Sequence, residues 1–191
     1  MRFANQGSRI SAATLGALAV CLVCFAASAG AQTGGAGAPG DPAAPAPTGP
    51  PGKATLLSNG QALAPANAPP QVVAAIAAAN SIATYPYIWG GGHRSFFSNG
   101  YDCSGAVSYM LHGGGLLPSP LPSGPLMKYG VPGHGTWITV FSNPSHAYAV
   151  VAGLRWDTSA VGEKLNSGSG PRWRASKRRS AGYVMRHYPG L

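Results

Sequence analysis

Hydrophobic residues in the middle of the chain predict two helices. Apolar residues lie three or four positions apart in an alanine-rich stretch that follows two prolines, which predicts a first helix over residues 71–83. A second apolar stretch, over residues 102–112, ends at three consecutive glycines and predicts a second helix. Between the two helices, residues 85–92 are predicted to form an extended aromatic segment followed by a glycine loop.

Beyond residue 135 the pattern changes to the β-branched and aromatic content that is typical of strands. Residues 116–135 contain five Pro and four Gly and are predicted to be loop, as are residues 163–170. Since the helices come first and the strands follow, the sequence predicts an α+β domain whose helices pack on one face of an antiparallel β-sheet. The predicted strands are 136–141, 146–152, 154–158 and 182–187.

Residues 1–31 have the pattern of a secretory signal peptide. Arg2 and Arg9 give a positively charged start, an apolar stretch follows over residues 10–27, and small residues then supply two candidate cleavage points. Two alternatives remain: an uncleaved membrane anchor, for which the stretch is borderline in length, and a lipid-attachment site at Cys21. If the signal peptide is cleaved, the protein is expected to be secreted or held in the cell envelope. Contact with the membrane is expected only if the segment is retained.

The rest of the chain divides by composition into two parts. Residues 32–69 are rich in Gly, Pro, Ala and Thr and have almost no large apolar side chains to bury, so they are predicted to form a disordered linker. Residues 70–191 are long enough to build one hydrophobic core. The predicted organisation is therefore a signal peptide, a linker and one domain.

Cysteine and charge content narrow the chemistry. Without the signal peptide the chain keeps one thiol, Cys103, which is either reactive or buried and inert. From residue 70 onward ten Lys and Arg face three acids, which disfavours a paired-carboxylate glycosidase and oxygen-rich Ca²⁺ or Mg²⁺ sites. No two His have the spacing of a helical zinc motif, so neither a metal nor another cofactor is expected.

The excess of positive charge favours an anionic partner. Outside the cell, that partner is more plausibly the carboxylates of peptidoglycan or an anionic wall polymer than a nucleic acid. The basic residues concentrate in the C-terminal segment, where they form either a solvated face or a contact with such a polymer.

The sequence around Cys103 favours a reactive thiol. Asp102 is a natural N-cap, so Cys103 falls in the first turn of the second predicted helix, followed by Ser104 and the small Gly105. Free backbone N–H groups and the positive end of the helix dipole stabilise a thiolate there, and they can also bind an oxyanion. A cysteine that only fills a core is more typical of an apolar helix face.

A base for this thiol is expected on a neighbouring strand. His146 opens a predicted strand, and a hairpin that turns near residues 151–153 brings Asp157 opposite to it or one diagonal away. Asp157 would then orient the imidazole as the third member of a triad, or it is simply a turn residue. His134 is the alternative base, and His93 is predicted to lie on a loop surface or at the site entrance.

These motifs together resemble the NlpC-type cell-wall cysteine peptidases. The resemblance rests on the segment Tyr87-Ile88-Trp89-Gly90-Gly91, on Tyr101-Asp102-Cys103-Ser104-Gly105, and on a His at the head of a strand. It implies a papain-like α+β fold and hydrolysis of amide bonds in peptidoglycan stem peptides, without a metal.

The resemblance also implies roles for individual residues. Cys103 would be the nucleophile and His146 the general base, while Asp157 stands where the family usually has His, Asn or Gln. Tyr87 and Trp89 belong to the loop beside the site, and Asp102 and Ser104 would support the nucleophile. Two other functions remain open: a wall-binding module that has lost catalysis, and a transferase of lipid or acyl groups through the thiol.

Overall fold

The structure, a computed structural model, describes residues 52–163 and 168–191. The expected signal peptide and most of the expected linker lie outside the described residues. Among the residues that are described, no helix has the length and apolar character needed to cross a membrane.

Two helices form the first layer of the domain. Helix α1 (Pro70–Ser81) begins with Pro70, and proline is common at the first position of a helix. The helix buries Val72, Ala75, Ile76 and Ala79. Helix α2 (Cys103–Gly113) packs against α1. The two backbones come close at Gly113, where an added Cβ would lie 2.1 Å from the Cβ of Ala78. A short helix, α3 (Ser123–Leu126), follows.

Six antiparallel strands form the second layer. The sheet has the order β3-β8-β4-β5-β6-β7, and a separate two-stranded hairpin, β1-β2, precedes α1. The strands are β1 (Thr55–Leu56), β2 (Ala62–Leu63), β3 (Val131–Pro132), β4 (Ile138–Ser142), β5 (Ala147–Val151), β6 (Leu154–Asp157), β7 (Arg172–Arg174) and β8 (Val184–His187).

Helix α2 covers one face of this sheet. It packs on β5 and β6, and the indole Nε1 of Trp156 donates a 3.0 Å hydrogen bond to the carbonyl oxygen of Ala106 in α2. The residues paired across the strands on this face, among them Val140, Ala149 and Trp156, are fully buried. The predicted α+β arrangement, with N-terminal helices and an antiparallel sheet that is covered on one face, is therefore confirmed.

Some elements were not predicted, because their stability comes from distant partners. Strand β7 has the sequence Arg-Trp-Arg, which no hydrophobic alternation marks, yet Trp173 packs on Trp156 with ring centroids 4.9 Å apart. Helix α3 and strand β3 lie in the predicted loop 116–135 and are only four and two residues long. Elements this short depend on tertiary contacts, since isolated short helices and strands are unstable in water.

The start of the ordered domain also differs from the expected boundary at residue 70. Hairpin β1-β2 lies within the predicted linker, yet Ala62 and Ala64 are buried in the core and the backbone N–H of Ala54 bonds to the carbonyl oxygen of Ala152. The ordered region thus extends at least from Ala54. Composition missed it because small alanine side chains pack here against α1, and the backbone hydrogen bonds have partners far away in the sequence.

Asn80 joins three parts of the fold, and we expect its loss to destabilise the domain. Its Nδ2 donates to the carbonyl oxygen of Ala62, while its Oδ1 accepts from the N–H of Ala62 and from the indole of Trp173, all at 2.8 Å. Asn80→Ala is expected to lower the free energy of unfolding by about 1–3 kcal/mol in urea denaturation, because buried partners lose their hydrogen bonds.

Asn59→Ala is the matched control for this prediction. The side chain of Asn59 bonds to Gln61 in an exposed turn, so its truncation is expected to change the free energy of unfolding by less than about 0.5 kcal/mol. Equal effects of the two substitutions would contradict the bridging role of Asn80.

Candidate active site

The thiol of Cys103 lies at the start of α2, where the sequence predicted it. Asp102 is the N-cap, with φ −85° and ψ −174°, and its Oδ1 accepts a 2.8 Å hydrogen bond from the backbone N–H of Gly105. Cys103 forms no disulfide bond, and the residue is 7% exposed. The capping geometry directs the first turn of the helix, with its N–H groups and positive dipole end, toward the thiol.

The glycine loop presses directly against this helix start. The N–H of Gly90 donates to Oδ2 of Asp102 at 3.1 Å, and the N–H of Asp102 donates to the carbonyl oxygen of Gly91 at 3.3 Å. A Cβ on Gly105 would lie only 2.0 Å from that same carbonyl oxygen. A glycine at position 105 is therefore required for the loop and the helix to approach each other this closely.

His146 connects Cys103 to Asp157. Its Nε2 lies 2.9 Å from Oδ1 of Asp157, and its ring also interacts with the side chain of Cys103. Burial, the largest influence, lowers the pKa of His146. Hydrogen bonds to Asp157 and Cys103, with the negative charges of both, outweigh burial and raise this pKa to about 9. The imidazole is thus held in its charged form at neutral pH.

The β5-β6 hairpin brings His146 and Asp157 together. Ala149 pairs with Trp156 and Val151 pairs with Leu154, so the same register places Asp157 opposite Tyr148 and one diagonal away from His146. A preceding turn fixes the entry to β5, because the Oδ1 of Asn143 accepts the backbone N–H of His146 at 2.8 Å. The diagonal neighbour relation expected from the sequence is present.

Asp157 combines both of the roles that the sequence left open. Its side chain is fully buried, and Oδ1 accepts the backbone N–H of Ser159 at 2.9 Å in a turn while also contacting His146. The other oxygen, Oδ2, accepts a 3.1 Å hydrogen bond from Nη1 of Arg178 and lies 3.5 Å from Nε of Arg155. The buried carboxylate is therefore compensated from several directions at once.

Arg178 is a residue that the sequence reasoning missed. Besides holding Asp157, it donates to the hydroxyl of Tyr183 at 2.9 Å, and its guanidinium lies 5.5 Å from the ring centroids of both Tyr148 and Tyr183. The sequence offered no signal beyond a run of basic residues, because the contact joins the tail to a strand 21 positions earlier.

A second His–Asp pair supports the residues that flank the nucleophile. Nε2 of His93 lies 2.8 Å from Oδ2 of Asp102 and 3.0 Å from Oγ of Ser104, which in turn donates to Oδ1 of Asp102 at 3.2 Å. His93 is thus tied into the site rather than being a free surface residue. These contacts agree with the supporting positions expected for Asp102 and Ser104.

Tyr87 and Trp89 lie in the loop before the glycines. Burial, and then the nearby negative charges of Cys103 and Asp102, raise the pKa of Tyr87. Trp89 is 84% exposed and presents its indole to solvent. The alternative base, His134, packs edge-on against Phe141 with ring centroids 5.9 Å apart.

In the part of the chain that the structure describes, no group of three or more His, Cys, Asp or Glu side chains is arranged to hold a metal ion. The fold and the site together define an α+β domain with a Cys–His–Asp series at a helix N-terminus.

Comparison with known proteins gives distant likenesses to solved structures. No protein-family model and no curated protein matches the sequence. The structure is similar to the peptidoglycan hydrolase RipB of Mycobacterium tuberculosis, with 25% identity over 61% of this chain and 64% of that chain and a TM-score of 0.46. It is also similar to an NlpC/P60 family protein of Bacillus cereus, with 19% identity over 61% and 40% of the two chains and a TM-score of 0.45.

A third similar structure is RipD of Mycobacterium tuberculosis, described as a non-catalytic NlpC/p60 domain protein adapted to peptidoglycan binding. It shares 19% identity over 62% of this chain and 98% of that chain, with a TM-score of 0.43. Two of the three carry the family name that the sequence motifs suggested. The chain spans less than two thirds of the length of RipB and of the Bacillus protein, and likenesses this distant do not by themselves assign an activity.

We expect the imidazole of His146 to titrate near pH 9 in the folded chain, against about 6.5 when unfolded. Because the folded pKa is the higher one, the charged imidazole stabilises the fold fully below pH 6.5, and this contribution is lost as the pH rises toward 9. It amounts to on the order of 3 kcal/mol, because one unit of pKa difference corresponds to about 1.4 kcal/mol. NMR titration of the ring measures the pKa, and urea denaturation across the same pH range measures the stability.

Asp157→Asn tests the cause of this shift. Removing the negative charge is expected to lower the pKa of His146 toward its ordinary value. A ring that titrates near 6.5 in the unmodified chain, or a pKa that Asp157→Asn leaves unchanged, would contradict the electrostatic role assigned to Asp157.

Proposed function

We propose that this chain is an exported cysteine hydrolase that cleaves amide bonds in the stem peptides of peptidoglycan. The observation that carries the proposal is the contact of His146 with the buried Asp157, together with the interaction of the same imidazole with Cys103. If Cys103 were only a buried, inert side chain, an adjacent imidazole whose pKa is raised to about 9 beside a buried carboxylate would have no function. Both the thiol and its base therefore have the environment of an acyl-transfer site.

The proposed reaction begins with a thiolate–imidazolium pair. The Sγ of Cys103 attacks the carbonyl carbon of the amide, and the backbone N–H groups of the first turn of α2 bind the oxygen of the tetrahedral intermediate. His146 then gives its proton to the leaving amine, which breaks the C–N bond and leaves a thioester on Cys103. Water, deprotonated by His146, hydrolyses the thioester and restores the free thiol.

Asp157 serves as the positioning residue for His146. Since its Oδ1 contacts Nε2, the other ring nitrogen is left for exchange of the proton with the thiol. An aspartate at the position where NlpC-type enzymes usually have His, Asn or Gln adds a full negative charge, which stabilises the imidazolium. Arg178 holds the carboxylate in place from the other side.

The proposal of peptidoglycan as substrate is supported by sequence motifs and by charge. The chain has a formal net charge of +9, which suits a polymer that carries carboxylates. Most basic side chains of the C-terminal segment bond within the protein: Arg172 to the carbonyl oxygen of Ala83, Arg174 to Glu163, and Arg186 to the carbonyl oxygen of Tyr129. A contact with anionic wall polymers would therefore depend on the exposed Lys177 and Arg179.

Digestion of purified peptidoglycan tests the proposed reaction. The unmodified chain is expected to release new stem-peptide fragments, identified by mass spectrometry, whereas Cys103→Ala is expected to release none, because it lacks the nucleophile. Thermal unfolding of both proteins shows that the variant is folded.

Two outcomes would overturn the peptidase proposal. Binding of both proteins to peptidoglycan without fragments from either would favour the non-catalytic wall-binding module. Turnover of lipid esters, but not of peptidoglycan fragments, by the unmodified chain alone would favour an acyl or lipid transferase that uses the same thiol.

The pH dependence of Cys103 alkylation tests the pairing of thiol and imidazole without a substrate. The rate constant for iodoacetamide is read at the Cys103 peptide by mass spectrometry, which separates it from Cys21 and Cys24. Because the imidazolium activates the thiolate, Asp157→Asn is expected to lower the rate about tenfold near pH 7.

Arg178→Gln should have a smaller effect in the same direction, since it loosens the carboxylate without removing it. Replacement of the exposed Arg179 by Gln is the matched control and should leave the alkylation rate within about twofold of the unmodified chain. Equal rates in all four proteins would contradict the positioning roles of Asp157 and Arg178.

A further inference from the structure

A cavity of about 290 Å³ lies on the face of the sheet away from α2. Its floor is formed by Phe141, Tyr148 and Val150, and its wall includes Arg155 of β6 together with Lys177 and Arg178 of the segment that follows β7. The strand register places these floor residues on the face opposite to Val140, Ala149 and Trp156, the face on which α2 packs. The cavity is thus separate from the hydrophobic core and contains neither Cys103 nor His146.

The floor of the cavity suits a flat apolar group. Phe141 and Tyr148 are cross-strand partners, and their rings stack with centroids 4.6 Å apart and planes 3° from parallel. Both are almost completely buried, although they lie on the sheet face that the helices do not cover. The parts of these rings that face the cavity, together with the half-buried Val150, give it an apolar floor.

The wall of the cavity carries an excess of positive charge. Arg155, Arg174, Arg178 and Lys177 lie in or next to it, and among the residues that the structure describes two carboxylates, Asp157 and Glu163, pair with the three arginines. Lys177 is exposed. The four basic side chains therefore exceed the two carboxylates by two positive charges, which favours a bound anion.

Arg155 supplies a second indication of a ligand. Its side chain is 2% exposed and lines the cavity, and Nε is, within residues 52–163 and 168–191, a buried side-chain atom that has no hydrogen-bond partner. Asp157 Oδ2 lies 3.5 Å away, and is already engaged by Arg178 at 3.1 Å. Buried polar groups rarely remain without a partner, so an acceptor oxygen in the cavity would complete this wall.

We propose that this cavity binds a small organic anion with a flat apolar body. The body would lie against the apolar floor beside Val150, and a carboxylate or phosphate group would face Arg155, Lys177 and Arg178. The inference does not rest on the proposed hydrolysis, since none of the cavity residues attacks a substrate. It adds a binding site next to Asp157, because Arg178 contacts both the cavity and that carboxylate.

Isothermal titration calorimetry with four probes tests the site: phenyl phosphate, benzoate, inorganic phosphate and phenol. The measurements use the Cys103→Ala chain, so that failure of the hydrolase proposal cannot affect the result. Phenyl phosphate or benzoate is expected to bind at least tenfold more tightly than inorganic phosphate and phenol, because only these two probes combine a ring with an anion. The better of the two identifies which anionic group the wall prefers.

Three further substitutions locate the binding. Lys177→Gln is expected to weaken it about three- to tenfold, and Val150→Phe, which fills the floor, is expected to abolish it. Arg179→Gln removes the same charge two positions from Lys177, outside the cavity lining, and should change the affinity less than twofold.

Three results would overturn the proposal: no binding of either aromatic anion, equal weakening by Lys177→Gln and Arg179→Gln, or unchanged affinity in a folded Val150→Phe. Equal weakening would mean that the probes respond only to the general surface charge.

Discussion

The structure depends on how it accommodates one fully buried carboxylate, that of Asp157. An isolated charge in the interior is strongly unfavourable, so the ion must be surrounded by donors and cations. Here the surroundings come from a backbone N–H of the following turn, from the imidazole of His146, and from Arg178 in the C-terminal segment. The same compensation therefore fixes the β5-β6 hairpin, anchors the tail and sets the charge state of His146.

A second constraint acts at the other end of the site, where backbone meets backbone. The glycine loop and the start of α2 approach so closely that the carbonyl oxygen of Gly91 occupies the place of a side chain on residue 105. Asp102 closes this contact by bonding both the loop and the helix. The thiol and the imidazole are thus held by two independent supports, one made of backbone and one of buried ions.

The few acidic side chains of the domain all take part in ion pairs within the fold. All three carboxylates after residue 70 pair with His or Arg side chains: Asp102 with His93, Asp157 with His146 and Arg178, and Glu163 with Arg155 and Arg174. The composition alone suggests that the positive charge serves to bind a partner. Much of it is instead paired with carboxylates inside the fold. What remains for an external anion is concentrated on a few exposed side chains and on the wall of the cavity behind the sheet.

The sequence by itself determined the two main helices, the strands with regular β-branched or aromatic content, and the position of Cys103 at a capped helix start. These features are local, because periodicity, capping and turn residues act within a few positions along the chain. The hairpin spacing also brought Asp157 to His146, since the register of two strands joined by a tight turn follows from counting.

Only the tertiary structure decided the features whose partners are far apart in the chain. Strand β7 exists because Trp173 packs on Trp156, and the hairpin before α1 because Ala62 bonds to Asn80. Arg178 became part of the site, rather than a solvated charge, because folding brings it to a carboxylate 21 residues earlier. Such contacts depend on which surfaces meet, a property of the packed chain that no local pattern of residues contains.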